Sequence, residues 1–275
     1  MNCGLLGRHL NHSYSKRIHS AFGRYNYELY EVEPDRLPAF IKAKAYRGLN
    51  VTIPYKKAVL PLCDRLSDEV RRIGSINTIV NDDGTLIGHN TDYSGFLLSA
   101  RRAGIDFRNK KVLLLGSGGT SLSVQAAVAD SSARDLVVVS RSGPVDYTTV
   151  YEHCDSDILI NTTPVGMYPH NGKTLLELDR FDNLQAVFDV IYNPLHTRMV
   201  LKAKLRGITY SGGLDMLLAQ AALSAELFLN EALPENIVQR TCRNLAAEST
   251  NIVLIGMPGS GKTMLGTLVA ERLNR

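Results

Sequence analysis

An α/β fold built of two α/β domains is the class this chain predicts, and three observations predict it. Short apolar runs of strand length alternate with longer amphipathic runs from end to end, the rhythm of parallel strands joined by crossover helices. Residues 111–129, "KVLLLGSGGTSLSVQAAVA", set a strand, a glycine turn and a helix in immediate succession, the pattern of a Rossmann-type dinucleotide site. Residues 251–263, "NIVLIGMPGSGKT", satisfy G-x-x-x-x-G-K-S/T, a phosphate loop between a strand and a helix.

In the first unit the expected strands are "CGLLG", "YELYEV", "GLNVTI" and "INTIV". Helical patterns fit Ser15 to Phe22, Asp35 to Ala45 and Tyr55 to Ile73, the last kinked or split at Pro61 because proline lacks the N–H that a helix needs. "NDDGT" (81–85) reads as a hairpin turn. An amphipathic stretch from Tyr93 to Ala103 leads to the second unit, with strands at "KVLLLG", "DLVVVS", "DILIN", "AVFDVI" and "ITYSG". The expected division is therefore 1–93 for the first domain, 94–213 for the dinucleotide domain, a long buried helix over about 214–247 that packs back on the first domain, and a strand-helix fragment at 250–275.

Composition narrows the function classes. With 44% hydrophobic and 21% charged residues in 275, the chain has the balance of a folded soluble protein. A net charge of +4 spread over short clusters such as "KAKAYR" does not make a nucleic-acid surface. Four dispersed cysteines without C-x-x-C, and the absence of a signal-like apolar start, suit a reducing cytoplasm. No run approaches membrane-spanning length, and the seven histidines show no metal-ligand spacing, so neither a membrane nor a metal is expected.

The dinucleotide site follows from the glycine spacing. Gly116 permits the tight turn, Gly118 lets a pyrophosphate approach the backbone, and small Ser121 completes G-x-G-x-x-(small). Ser117, Gly119 and Thr120 open the helix whose N–H groups and dipole hold the anion. The next strand ends in Ser140-Arg141-Ser142, where an NAD enzyme would carry a carboxylate. A guanidinium in that place favours NADP, the alternative being an arginine on a solvated turn.

Polar groups in the first unit fall just after strands or at helix starts, where α/β sheets present ligands: Ser13 and Ser15, Thr52 and Lys56, Asn77, and Asn90 with Asp92. The set suits a small substrate rich in hydroxyl and carboxylate oxygens. Local structure competes for several of them: Asp92 also fits the N-cap of "YSGFLLSA", either serine also fits a cap, and Lys56 beside Lys57 also fits a solvated pair.

The ordered motifs "HSYS", "NVTIPYK", "GSINT", "GHNTD", "GSGGTS", "SRS", "NTTPVGM", "VIYNP" and "GGLDMLLAQAA" resemble those of the shikimate dehydrogenases over nearly all of 1–247. The resemblance implies reversible NADP-dependent reduction of 3-dehydroshikimate to shikimate, a step of aromatic amino acid (chorismate) biosynthesis, with quinate as the competing substrate and NAD as the competing cofactor. It implies that Lys56 and Asp92 are the catalytic pair. Ser13, Ser15 and Tyr192 would meet the substrate carboxylate, and Thr52, Asn77 and Gln220 its ring hydroxyls, with Asn90 nearby. Thr162 within "NTTPVGM" and Gly213 would stand at the cofactor. The chain departs from the family pattern at His9 and Lys16, where prolines are expected, and at S-R-S, where N-R-T is common.

The terminal loop resembles the opening of shikimate kinases, with Gly256, Gly261, Lys262 and Thr263 as vestigial ATP-binding residues. A kinase needs further strands, an acidic Mg²⁺ ligand and an acceptor site after its first helix. Only twelve residues follow Thr263, so the expectation is the truncated start of a kinase domain, part of a bifunctional dehydrogenase–kinase whose remainder lies outside this sequence.

Overall fold

The structure, a computed structural model, describes residues 1–10, 13–250 and 252–272. His12 of "HSYS" and Asn251 at the head of the terminal loop sequence lie outside the described residues.

The first sheet contains β1 (Asn2–Gly7), β2 (Asn26–Glu31), β3 (Gly48–Val51), β4 (Arg65–Leu66), β5 (Thr78–Asp82) and β6 (Thr85–His89), in the order β2-β1-β3-β5-β6-β4. Strands β1, β2 and β3 are parallel, but β5 runs antiparallel to both β3 and β6, so this sheet is mixed. The cause is the predicted hairpin. Asp83 and Gly84 both take positive φ (46° and 89°), the geometry of a two-residue turn that reverses the chain.

Three helices accompany these strands: α1 (Ser15–Phe22), α2 (Leu37–Lys42) and α3 (Asp68–Ile73). The first matches its sequence pattern. The second is shorter than Asp35 to Ala45, because Pro38 sits in its first turn and Lys44 takes φ 51° beyond its end. The helical pattern over 55–73 is split, as Pro61 leads one to expect, and only its last part is α-helix. Pro61 confines the chain to a single 3₁₀ turn at Leu60–Leu62, β4 follows, and Ser67 caps a fresh start by accepting from the Val70 N–H.

Helix α4 (Thr91–Arg102) leads to a second, all-parallel sheet of β7 (Lys111–Leu115), β8 (Asp135–Val139), β9 (Ile158–Asn161), β10 (Ala186–Asp189) and β11 (Thr209–Ser211), in the order β11-β10-β9-β7-β8. Helix α5 (Gly119–Asp130) joins β7 to β8 and α6 (Arg198–Leu205) joins β10 to β11. The other two crossovers carry only one 3₁₀ turn each, at Val150–His153 and Leu178–Arg180. Strand order reverses between β7 and β9, the crevice where such sheets bind ligands.

The helix expected over 214–247 is two helices, α7 (Gly213–Leu229) and α8 (Glu235–Glu248). Asn230 closes α7 in the left-handed conformation (φ 54°), and Pro234 cannot continue a helix begun before it. Helix α7 links the two sheets: Met216 joins the core around Phe96 and Phe188, while Phe228 packs with Cys3, Leu5 and Tyr27. The approaches are close enough to demand glycine. A Cβ on Gly95 of α4 would stand 3.0 Å from the Gln220 backbone nitrogen, and one on Gly48 would stand 2.1 Å from the Phe228 ring.

The terminal segment departs from expectation. Residues 252–258 form no strand, because a strand needs a neighbour's backbone and no sheet edge lies beside them. Helix α9 (Lys262–Arg272) follows and buries none of its residues: Met264 is 70% exposed and Leu268 54%, and before it Ile255 is 92% exposed. None of the described helices is long and apolar enough to cross a membrane.

Beneath α1, His19 is stacked on Tyr27 (ring centroids 4.0 Å apart, 3° between planes) and bonds the Tyr25 hydroxyl through Nδ1 at 2.6 Å. Burial drives its pKa down to about 3. In the unfolded chain the ring titrates near 6.5, so the folded state binds fewer protons between those values, and stability is lost as pH falls below about 6.5. His19→Phe, which keeps a ring in the cluster, should flatten this dependence: between about pH 7.5 and about pH 5 the wild-type Tm should fall further than the variant's. Parallel slopes in thermal melts would remove His19 as the acid-sensitive group.

Candidate active site

Sheet topology gathers the predicted substrate-side residues before any side chain is considered. Strands β1 and β3 are parallel neighbours (Leu6 opposite Val51), so the loop with Ser13 and Ser15 and the loop with Thr52 and Lys56 leave the same edge. Strand β5 starts at that edge, with the Val51 N–H donating to the Asn77 carbonyl at 2.7 Å, and β6 ends there, with Thr78 opposite His89. Asn77, Asn90 and Asp92 are thereby delivered to one place.

Lys56 is aimed inward from its loop. Tyr55 is buried and its hydroxyl donates to the Val32 carbonyl, while the Ile76 N–H donates to the Lys56 carbonyl at 2.8 Å. Lys57 is exposed, so the solvated member of the pair is Lys57. Lys56 Nζ meets Asp92 Oδ2 at 2.5 Å and donates to Thr120 Oγ1 at 3.2 Å, with only 13% of the lysine and 8% of the aspartate side chain exposed. The pair therefore touches the head of the glycine helix α5. Gly119 makes room for it, since a Cβ there would stand 3.0 Å from Lys56 Cδ.

Asp92 lies in the first turn of α4 but is not its N-cap. Asn90 is the cap, its Oδ1 accepting from the Tyr93 N–H at 3.1 Å, which leaves Asp92 free to face Lys56 while still profiting from the helix dipole. The second oxygen, Asp92 Oδ1, accepts from Asn77 Nδ2 at 2.9 Å; the same amide group also reaches Thr91 Oγ1 at 3.0 Å and Gln220 Oε1 at 3.5 Å. Asn90 is otherwise spent on structure. Its Nδ2 donates to the Ser75 carbonyl at 2.7 Å and to Ser123 Oγ of α5 at 3.0 Å, tying the first sheet's loops to the cofactor helix.

Ser13 Oγ accepts from the Ser15 N–H at 3.2 Å, and no side chain caps α1. Ser15 is buried, and the neighbouring Tyr14 packs against Tyr192 at 5.1 Å between ring centroids. Burial, with Tyr14 beside it, raises the Tyr192 phenol above its ordinary range and keeps it a neutral donor. Lys16 pairs with Glu28 at 2.6 Å on the surface, and His9 is exposed. Thr52 is half-buried, held by its N–H to the Leu6 carbonyl at 2.9 Å.

Across the seam, Gly116 takes φ 109°, and a Cβ there would strike Thr162 Oγ1 at 2.7 Å. Thr162 in turn donates to the Leu115 carbonyl at 2.7 Å, closing the crevice between β7 and β9. Ser121 Oγ donates to the Gly116 carbonyl at 2.7 Å and fixes the turn onto α5. Ser117 and Gly118 are exposed, and an added Cβ on Gly118 would meet nothing within 4 Å, so the loop is open on the side where a pyrophosphate would approach the first-turn N–H groups. Ser140 is buried while Arg141 and Ser142 are exposed, and Arg141 forms no hydrogen bond or ion pair among the described residues. Gly213 answers to packing: a Cβ there would lie 2.0 Å from the Val190 carbonyl oxygen. The "NTTPVGM" loop hangs from Asp189, which accepts from Asn161, Thr197 and the Ile191 N–H, and burial pushes its pKa up to about 6.

Sequence reasoning missed Ser75, Thr91 and Ser123. The Ser75 hydroxyl is fully buried and has no partner among the described residues, directly beside Gly119. Each is a small polar residue one or two positions from a residue already singled out, a signal too common to act on alone. The terminal loop joins none of this. There Lys262 Nζ donates to the Gly256 and Met257 carbonyls at 2.8 and 2.6 Å, Gly261 takes φ 76°, and Thr263 is exposed.

Comparison with known proteins agrees with this geometry. Residues 5–79 match the family model of the shikimate dehydrogenase substrate binding domain. A curated shikimate dehydrogenase (NADP(+)) from Moorella thermoacetica is 35% identical over 94% of this chain and 96% of its own length. The crystal structure of shikimate dehydrogenase 1 from Peptoclostridium difficile superposes with a TM-score of 0.84 at 32% identity, covering 91% of this chain and 99% of that one. That of shikimate 5-dehydrogenase from Thermus thermophilus, in complex with NADP(H) and shikimate, gives 0.79 at 29% identity, covering 88% and 98%. This protein belongs to the shikimate dehydrogenase family.

Proposed function

We propose that the chain is an NADP-dependent shikimate dehydrogenase that catalyses the reversible reduction of 3-dehydroshikimate to shikimate. The observation that carries the reading is the nearly buried Lys56–Asp92 pair set against Thr120 at the head of the glycine helix. A proton-handling pair thereby stands at the junction of substrate loops and cofactor loop. The division of labour we assign follows the sheets: residues 1–93 with 214–247 bind substrate, and 94–213 bind the cofactor. Four free cysteines among the described residues accord with a reducing cytoplasm.

The residues fit the cofactor. Gly116, Ser117, Gly118, Gly119 and Thr120 leave an open loop over a helix start, and exposed, unpaired Arg141 suits a 2′-phosphate. When bound, NADP supplies or takes up the hydride of the reaction. Lys56 gives a proton to the oxygen that becomes the shikimate hydroxyl, and Asp92 orients the ammonium through Oδ2 while Asn77 holds Oδ1. Ser13, Ser15 and Tyr192 offer hydroxyl donors to the carboxylate, and Thr52, Asn77 and Gln220 serve the ring hydroxyls.

The terminal segment we read as the opening of a P-loop unit of shikimate kinase type, fitted to hold a phosphate by its backbone. The further strands, acidic Mg²⁺ ligand and acceptor pocket that phosphoryl transfer requires are not found in 252–272.

The reading is tested by the appearance of reduced nicotinamide absorbance when shikimate is added with NADP⁺. Flat traces with shikimate, alongside turnover of quinate with NAD⁺, would overturn it. Lys56→Ala and Asp92→Asn should each lower kcat by roughly 10² to 10⁴, the usual worth of a placed acid–base group, with little change in the KM for NADPH. Arg141→Ser should weaken NADPH by roughly 10- to 150-fold and NADH far less, as expected for loss of one charge-assisted contact; equal losses in binding titrations would remove Arg141 from the phosphate site. A chain ending at Thr250 should keep its dehydrogenase kcat/KM within a few-fold, and the full chain should not consume ATP in the presence of shikimate. Phosphorylated shikimate in the reaction mixture would contradict the second expectation.

A further inference from the structure

We infer that Tyr27 and Thr78 are positioning residues for this reaction: with Asn50 and Asn77 they form a buried, one-directional hydrogen-bond chain that crosses the first sheet from beneath α1 and holds the Asp92 carboxylate in place for Lys56. The inference rests on the reading of Lys56 and Asp92 as the acid–base pair.

The direction of the chain is set by a donor that has no alternative. The Thr91 backbone N–H can only donate, and it meets Asn77 Oδ1 at 2.7 Å. The Asn77 amide is therefore turned with its NH₂ toward Asp92 Oδ1, 2.9 Å away. The Thr78 hydroxyl donates to the same Asn77 oxygen, at 3.1 Å a nearer acceptor than Thr91 Oγ1 at 3.3 Å, and its lone pairs accept from Asn50 Nδ2 at 3.3 Å. Asn50 then presents its oxygen to the Tyr27 phenol, which donates at 2.7 Å. From Tyr27 through Asn50, Thr78 and Asn77, every donor points the same way, and the chain ends on the carboxylate. Hydrogen bonds aligned in this manner polarise one another.

Burial makes the chain consequential. Tyr27 is 2% exposed, Asn50 5%, Thr78 0% and Asn77 2%, so water does not replace a missing link. Tyr27 (β2) and Asn50 (β3) flank β1, and the phenol spans that strand. Its ring is held by the stack on His19 of α1. The chain thus runs from beneath α1, the helix that Ser15 opens, to the group we assign to proton handling. Buried polar side chains such as Asn50, set between Leu49 and Val51 in a fully buried strand, are costly unless bonded, and these bond in series.

Steady-state reduction of 3-dehydroshikimate by NADPH, with a thermal melt of each variant, tests the inference. Tyr27→Phe keeps the ring and its stack but removes the terminal donor, Thr78→Val removes a central link, and Thr78→Ser restores the hydroxyl. Tyr46→Phe is the control, since it deletes an equally buried phenol bond, to the Ile41 carbonyl at 3.1 Å, that lies outside the chain. Tyr27→Phe and Thr78→Val should each lower kcat roughly 3- to 10-fold, the worth of one neutral hydrogen bond, with the KM for NADPH unchanged. Thr78→Ser should recover the rate, Tyr46→Phe should turn over like wild type whatever it does to the Tm, and Thr78→Val should add nothing in an Asp92→Asn background. Should Tyr27→Phe fail to fold, the Thr78 pair carries the comparison alone. Wild-type kcat in Thr78→Val beside a depressed Asp92→Asn would overturn the inference and leave the acid–base reading standing, as would rates that merely track the Tm in all variants, Tyr46→Phe included. Wild-type kcat in Asp92→Asn would overturn both.

Discussion

The buried ion pair between Lys56 and Asp92 is the constraint around which the rest of the site is organised. Two charges taken out of water cost several kcal/mol each unless geometry and further hydrogen bonds compensate. Here the lysine adds Thr120 as a second acceptor and the aspartate adds Asn77 as a second donor, so no oxygen of the carboxylate faces the core alone. Removing either charge strands the other. Asn90 rather than Asp92 caps α4, its oxygen accepting from the Tyr93 N–H, so that both oxygens of Asp92 in the first turn meet Lys56 and Asn77.

Because the pair spans the junction of the two sheets, its geometry depends on how closely the halves approach. Glycine governs that approach at three places. Gly119 lets the lysine chain lie along the start of α5, Gly95 lets α4 and α7 cross in contact, and Gly213 lets α7 begin against the backbone at Val190. Each would set a Cβ within about 3 Å of a heavy atom across the contact. The Asn90–Ser123 bonds make the same junction polar and directional. The glycine loop after β7 is in this way fastened to the loops of the first sheet, which preorganises the groups that meet at the junction.

The terminal segment supplies the contrast. It fits the phosphate-loop pattern in sequence and Gly259 and Gly261 take positive φ, yet 252–258 form no strand and Ile255 and Met257 are exposed. Local sequence suffices for a glycine turn and a helix, whose hydrogen bonds are internal. A strand takes its hydrogen bonds from a neighbour, and 252–258 have none.

Much of the site was legible in the chain itself. Gly116, Gly118 and Ser121 announce the strand-turn-helix by their spacing, the Asp83-Gly84 turn states its φ angles, and the strands of the second sheet read as apolar runs because both faces are covered. Those are local facts, determined by sterics over a few residues. The tertiary structure decided what depends on residues distant in sequence. It set β5 antiparallel to β3, paired Arg65 and Leu66 with β6, and chose Asn90 over Asp92 as cap. It also chose Lys56 over Lys57 as the buried lysine and aligned Tyr27, Asn50, Thr78 and Asn77 into one chain. A polar side chain in a strand announces only that it needs a partner; which partner it finds is settled by the register of strands that meet after the chain has folded.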